Sequence, residues 1–159
     1  METDYSFRVN GSWSVRRKGI ISAEGVKEPN IPFSSPVEFK GESGHWTPEH
    51  FLVAAVVSCF VVTFSAMAEM SKLRFLGLEV PAVGKLGNID GKLAFSEIVM
   101  TPTLTVAENE DHDLGNRLLK KAEQGCLIAR SLVCEVKMEA VLRTGEHIVS
   151  VSGEVRSAK

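Results

Sequence analysis

Thr47-Pro48-Glu49-His50-Phe51-Leu52-Val53-Ala54-Ala55-Val56-Val57-Ser58-Cys59-Phe60 opens the longest apolar run of the chain. A threonine can accept from the free N–H groups of a helix start, proline suits the first helical position, and an acid in the first turn meets the positive end of the dipole. Thr47, Pro48 and Glu49 therefore predict a helix that begins at Thr47 and runs to about Lys72. From Phe51 to Ala68 the run carries no charged residue, which is long enough to raise the question of a membrane span. It is thinned, however, by Ser58, Cys59, Thr63, Ser65 and several alanines, lacks an aromatic belt and a basic flank, and has strand-like segments on both sides. The expectation is a helix covered on nearly all faces by a soluble core or a dimer interface, with no membrane partner.

Upstream, residues from Tyr5 to about Phe39 form short apolar stretches cut by Gly11, Gly19, Gly25, Pro29, Pro32 and Pro36, which predicts a strand meander over 5–39. Lys40 to His45 is a polar, glycine-rich lead-in to the helix. Downstream, Phe75–Leu86 and Lys92–Val106 read as two strands joined by Gly87-Asn88-Ile89-Asp90-Gly91, a hairpin over about 75–106. The imperfect alternation of Leu93, Phe95, Ile98, Leu104 and Val106 places a bulge near Pro102.

A second helix is expected from Asp111–Asp113 through Leu114, Leu118 and Leu119 to Gly125, then a short one over Cys126–Leu132 whose first residue is the cysteine. A strand over Cys134–Arg143 follows, and His147–Val155 reads as an edge strand or a tail. The order of elements gives an α+β class, and 159 residues with 44% hydrophobic content suit a single domain over 1–159.

A formal net charge of −2 with scattered lysines and arginines gives no electrostatic footprint for nucleic acid. The acidic start at Glu2 and Asp4 is unlike a secretory leader, and three cysteines make an odd set unlike a disulfide framework, so a reducing, cytoplasmic setting is expected. His45, His50, His112 and His147 sit singly and the cysteines lack ligand spacing, so neither a metal nor a cofactor is expected.

Chemistry falls to the thiols. Cys59, inside the apolar helix, suits either a gap-filling small hydrophobe or a buried reactive thiol. Cys126 opens a helix, where unpaired N–H groups and the positive end of the dipole favour a thiolate, so it is the stronger functional candidate by position. Cys134 opens a strand with no cation near it in sequence and reads as structural. Arg16-Arg17-Lys18-Gly19 suits a solvated turn, and Glu49 is favoured at a helix start whether or not it does chemistry.

Ser35-Pro36-Val37-Glu38-Phe39 and the Thr47–Phe60 stretch, with Pro-Glu ahead of Ala54-Ala55 and Cys59, resemble the helix signature of the OsmC/Ohr family. Ala122-Glu123-Gln124-Gly125-Cys126-Leu127-Ile128-Ala129-Arg130-Ser131-Leu132 is similar to that family's second cysteine motif. The resemblance implies a thiol-dependent peroxidase for organic hydroperoxides, with Cys59 as the attacking thiol, Cys126 as the resolving one, and a dithiol reductant, lipoyl or similar. It further implies roles for Glu49 and for an arginine of the first turn, Arg17 or its neighbour Arg16. The implied fold is an intertwined homodimer with antiparallel sheets wrapped around two central helices.

Glu49 and Cys59 stand about 15 Å apart along a straight helix and roughly 80° around it. If both act, the simplest arrangement takes Glu49 and Arg17 from one subunit and the cysteines from the other. Leu127 stands where the family often has proline, and Thr47 and His50 replace commoner residues beside Pro48-Glu49. A rival reading keeps the fold but makes the protein a thiol sensor or an apolar-ligand binder without turnover.

Overall fold

The computed structural model describes residues 5–145. They fall into two compact units, one ending at Leu52 and one beginning at Val53, with the boundary inside a continuous helix. The segment His147–Val155 lies outside the described residues.

The first unit is a three-stranded antiparallel meander of β1 (Val9–Val15), β2 (Lys18–Ala23) and β3 (Ile31–Ser34). Val15 pairs with Lys18, so Arg16 and Arg17 form the turn. Arg16 takes φ +52, and its carbonyl accepts a hydrogen bond from Trp13 Nε1 at 2.8 Å. The chain then makes a 3-10 turn over Val37–Phe39 and folds back at Gly41, where a side-chain carbon would lie 1.6 Å from the Ser35 carbonyl oxygen. Only glycine fits there. Ser34 N donates to Trp46 O at 2.9 Å and Ser34 Oγ accepts from Glu42 N at 2.9 Å, which fastens the lead-in to the end of β3.

Helix α1 (Pro48–Met70) starts as its residues predict, with one addition. Thr47 Oγ1 accepts from His50 N at 3.3 Å, and His50 Nδ1 accepts from Thr47 N at 3.2 Å. This reciprocal cap puts histidine where Glu or Gln is usual. Trp46 stacks on Phe51 at 5.6 Å, 9° from parallel, and fixes the angle at which the chain enters the helix.

The second unit contains the rest of α1 and two sheets. β4 (Phe75–Glu79) and β5 (Ala82–Ile89) form one arm of a long hairpin; β6 (Lys92–Met100) and β7 (Thr103–Val106) form the other. The connecting loop is shorter than the five residues expected: Ile89 pairs with Lys92 across Asp90 and Gly91, at φ +50 and +80, the positive pair of a two-residue hairpin turn. Each arm, expected as one strand, is split at a proline, Pro81 or Pro102, because proline has no N–H for the ladder. Pro102 therefore marks a break between strands, and the register irregularities fall at Lys85/Leu86 and Phe75/Gly77. Thr101 N donates to Pro81 O at 2.8 Å and Val141 N to Pro102 O at 2.8 Å, so the breaks stay in register across the strands.

From β7 the chain passes through α2 (His112–Gly125) and α3 (Leu127–Arg130), then returns as β8 (Glu135–Met138) and β9 (Val141–Thr144). A connection of that length permits parallel pairing. β8 joins β6 in parallel in the order β5-β6-β8, and β9 joins β7 in parallel in the order β4-β7-β9. The all-antiparallel sheets that the resemblance implied thus become antiparallel hairpins, each with a parallel third strand.

The core is one cluster. Val56, Phe60, Phe64 and Ala68 form a ridge at every fourth residue of α1 and meet Ile98, Met100, Leu104 and Val106 of the sheets. Gly115, Leu118, Leu119 and Ala122 form the buried face of α2, and a side-chain carbon at Gly115 would stand 2.9 Å from Leu104 Cδ2. The opposite face of α1 is exposed among the described residues: Val62 is 63% and Met70 78% exposed. Only 22% of the apolar window is buried, so the described residues do not give this helix the nearly all-round cover expected of it.

Candidate functional site

Cys59 lies on the flank of the buried ridge of α1, half-buried among core side chains. Cys126 sits at the break between α2 and α3, fully buried, with extended backbone as the residue that precedes α3. Gly125 allows this approach: a side-chain carbon there would stand 3.2 Å from Met67 Cε and 3.5 Å from Thr63 Cγ2, both on α1. The Cys126 thiol lies 3.8 Å from the Val56 carbonyl oxygen, one turn before Cys59, and the two thiols influence each other's ionisation. Two cysteines 67 positions apart in the chain are thereby brought together.

Their acidities diverge. Burial pushes Cys59 upward, but N–H of Ile128, the Cys126 thiol, the Thr63 hydroxyl and N–H of Leu127 outweigh it, and the net direction is down. Burial is also the largest influence on Cys126; N–H of Ala129 opposes it, the neighbouring Cys59 sulfur reinforces it, and the net direction is up. Hydrogen bonds to the charged form favour ionisation, and a neighbouring negative charge disfavours a second one. The thiolate that a helix start favours at Cys126 is therefore opposed by its burial, while Cys59 is the thiol drawn downward. The backbone N–H groups that follow Cys126 serve both thiols, those of Ile128 and Leu127 acting on Cys59 and those of Ala129 and Ile128 on Cys126.

Arg17 and Glu49 belong to the first unit and the cysteines to the second. Arg17 is exposed in the β1–β2 turn and donates through Nη1 to the Phe39 carbonyl. Glu49 is half-buried in the first turn of α1, and its Oε2 is a buried atom with no hydrogen-bond partner. Among the described residues no ion pair joins Arg17 to Glu49; the ion pair beside this turn is Lys18 with Glu42 at 2.9 Å. Arg16 contributes its carbonyl to Trp13. Cys134 packs against the core. No group of three or more His, Cys, Asp or Glu side chains suited to a metal occurs among the described residues.

Sequence reasoning missed Thr63 and the N–H groups of Leu127 and Ile128. Thr63 carried a signal, since it stands one helical turn after Cys59 on the same face. The N–H groups carried none, because every residue but proline has one.

Fold and thiol pair together define an α+β protein with two converging cysteines between a central helix and the α2–α3 break. The sequence matches the family model described as OsmC-like protein over residues 41–141, and the chain belongs to that family. It is 26% identical over 149 residues to an uncharacterised Bacillus subtilis (strain 168) protein, YmaD, covering 89% of this chain and 97% of that one. Among solved structures it resembles an OsmC-like protein of unknown function from Vibrio cholerae, with TM-score 0.79, 20% identity, 87% of this chain and 100% of that chain covered. It also resembles an organic hydroperoxide resistance protein from Elizabethkingia anophelis, with TM-score 0.71, 17% identity, 91% of this chain and 100% of that chain covered. The α+β OsmC-like fold is thus established, and within it the apolar α1 is a core helix of the domain.

Proposed function

We propose that this protein is a thiol-dependent peroxidase that reduces organic hydroperoxides through Cys59 and Cys126. The observation that carries the reading is the approach of Cys126 to the turn of α1 that leads to Cys59, its thiol 3.8 Å from the Val56 carbonyl oxygen; the surroundings draw Cys59 toward thiolate and hold Cys126 as thiol. The thiolate is the nucleophile. Cys59 sulfur attacks the terminal oxygen of the hydroperoxide; an S–O bond forms, the O–O bond breaks, and the alkoxide leaves as the alcohol after taking a proton. The Cys126 sulfur then attacks the sulfenic acid, a disulfide forms, and water departs. A dithiol reductant, lipoyl or similar, returns two electrons and two protons and regenerates both thiols. Cys59 packs against an apolar core that includes Val56, Phe60 and Met67, and an apolar surrounding suits an organic hydroperoxide better than a small polar oxidant.

The working form in this reading is a cytoplasmic homodimer of one OsmC-like domain, residues 1–159. Every residue of β1 is exposed, Trp13 at 76%, and one face of α1 is bare. Arg17 and Glu49 are contributed by a second copy, and the unpartnered Glu49 Oε2 is suited to orient a guanidinium beside the thiolate. The test is turnover of an alkyl hydroperoxide by the purified, fully reduced protein with dihydrolipoamide or dithiothreitol. Consumption that Cys59→Ser abolishes is expected. No consumption with both thiols titrated as free would leave the sensor or ligand-binding reading in its place.

A further inference from the structure

The start of α1 is closed by bonds that depend on the protonation of one ring. Thr47 N donates to His50 Nδ1 at 3.2 Å, while Thr47 Oγ1 stands 3.0 Å from the same nitrogen and accepts from His50 N at 3.3 Å. A ring nitrogen that accepts from an N–H carries no proton of its own, so this geometry calls for a neutral imidazole with its hydrogen on Nε2. Glutamine, usual at this position of the cap, offers an amide oxygen that accepts at any ordinary pH. Histidine does so only while unprotonated. A protonated Nδ1 can still turn its hydrogen toward Thr47 Oγ1, but Thr47 N then loses its acceptor, and no other occurs for it among the described residues. Thr47 is 7% exposed, and a buried N–H left without an acceptor is destabilising. A cation in the first turn also opposes the positive end of the helix dipole.

Glu49 lies between the two capping partners, on the same first turn. Its Oε2 is a buried atom with no hydrogen-bond partner, so that oxygen takes its place from the turn that carries it. We propose that His50 is a positioning residue for Glu49 that works as a proton-sensitive latch: the neutral ring fixes the first turn of α1, and protonation releases it. The consequence for turnover rests on the peroxidase reading; the latch itself does not. Trp46 packs edge-to-face with His50, ring centroids 6.1 Å apart, and stacks on Phe51, so a change at the cap reaches the aromatic lead-in as well. The titratable group that faces His50 is His45, which shares with it a cavity of about 330 Å³ completed by Gly44 and Trp46 and whose Nδ1 lies 3.2 Å from Ser43 O. Glu49 is the charged neighbour on the helix, and on the lead-in Glu42 is engaged with Lys18.

The experiment compares the folding equilibrium constant of the reduced full-length protein with that of His50→Gln, by chemical denaturation from about pH 8 to about pH 5, the span over which an ordinary imidazole titrates. The variant keeps an acceptor throughout, so the wild-type constant is expected to fall relative to it by about 3- to 10-fold across that span, the loss of a helix cap. The remaining histidines are common to both proteins, and the same fall is expected in a His45→Gln background. In isotope-labelled wild type the Thr47 amide proton should move upfield in step with titration of the His50 ring, a readout that needs no variant to fold. A constant ratio, a fall that vanishes without His45, or an amide that stays in place while the His50 ring titrates would overturn the proposal. Hydroperoxide turnover of wild type relative to His50→Gln should decline as the cap opens; a level ratio there overturns the part given to Glu49. Denaturation uses no peroxide, so an opening cap in a protein without turnover sinks the peroxidase reading while keeping the latch.

Discussion

Cys59 and Cys126 differ both in depth and in what surrounds their sulfurs. Cys59 is half-buried with four hydrogen-bonding groups drawing it toward thiolate, whereas for Cys126 full burial and the neighbouring Cys59 sulfur outweigh the N–H groups of Ala129 and Ile128. Alkylation should therefore begin at Cys59 at a pH below the ordinary thiol range and reach Cys126 only above it, as peptide mapping across a pH series would record. Equal labelling of both at every pH would remove the division of roles. With Cys126→Ser, the sulfenic acid at Cys59 has no resolving thiol, so excess hydroperoxide should drive it to the sulfinic acid, seen as a gain of two oxygens in intact mass. The wild type should instead lose two hydrogens as the disulfide closes.

Two elements owe their placement to small sets of polar residues. The start of α1 depends on the exchange between Thr47 and His50, so Thr47→Ala should lower stability by about 1 kcal/mol in chemical denaturation. A loss near zero would show that the Trp46–Phe51 stack holds the helix start without the cap. In the β5-β6-β8 sheet, Glu97 bridges Lys85 at 2.7 Å and Lys137 at 2.8 Å from the strands on either side. Lys137 and Lys85 hold the Glu97 carboxyl down at about 2, against an ordinary value of 4.5. The folded state therefore binds this proton less readily than the unfolded chain. Its contribution is complete above the ordinary value and is lost as pH falls toward about 2. Denaturation midpoints of wild type and Glu97→Gln should accordingly converge as the pH is lowered through that window; a constant difference would show that the bridge contributes nothing through its charge.

Among the described residues large apolar side chains stand exposed in each unit, Trp13 on β1 and Val62 and Met70 on α1 prominent. A second copy is the proposed cover. Sedimentation equilibrium should return twice the chain mass, and Trp13→Glu with Val62→Glu should shift the protein to monomer and abolish hydroperoxide turnover, because a monomer lacks a second copy's Arg17 and Glu49. A monomer with full activity would show that the thiol pair works without them.

The sequence alone determined what depends on neighbours a few positions apart. The Thr47-Pro48-Glu49 start, the buried period of α2, a reversal somewhere within Gly87–Gly91 and the candidacy of Cys59 and Cys126 are all local signals, carried by side-chain type and spacing. Tertiary structure decided the rest. That β8 and β9 lie parallel to β6 and β7 follows from which strand edge is free after the helical crossover, and pairing partners distant in the chain leave no mark on local composition. The direction in which each thiol's acidity moves was decided by burial and by the N–H groups after Cys126, and backbone groups common to every residue gain a role only when the folded chain aims them at a particular sulfur.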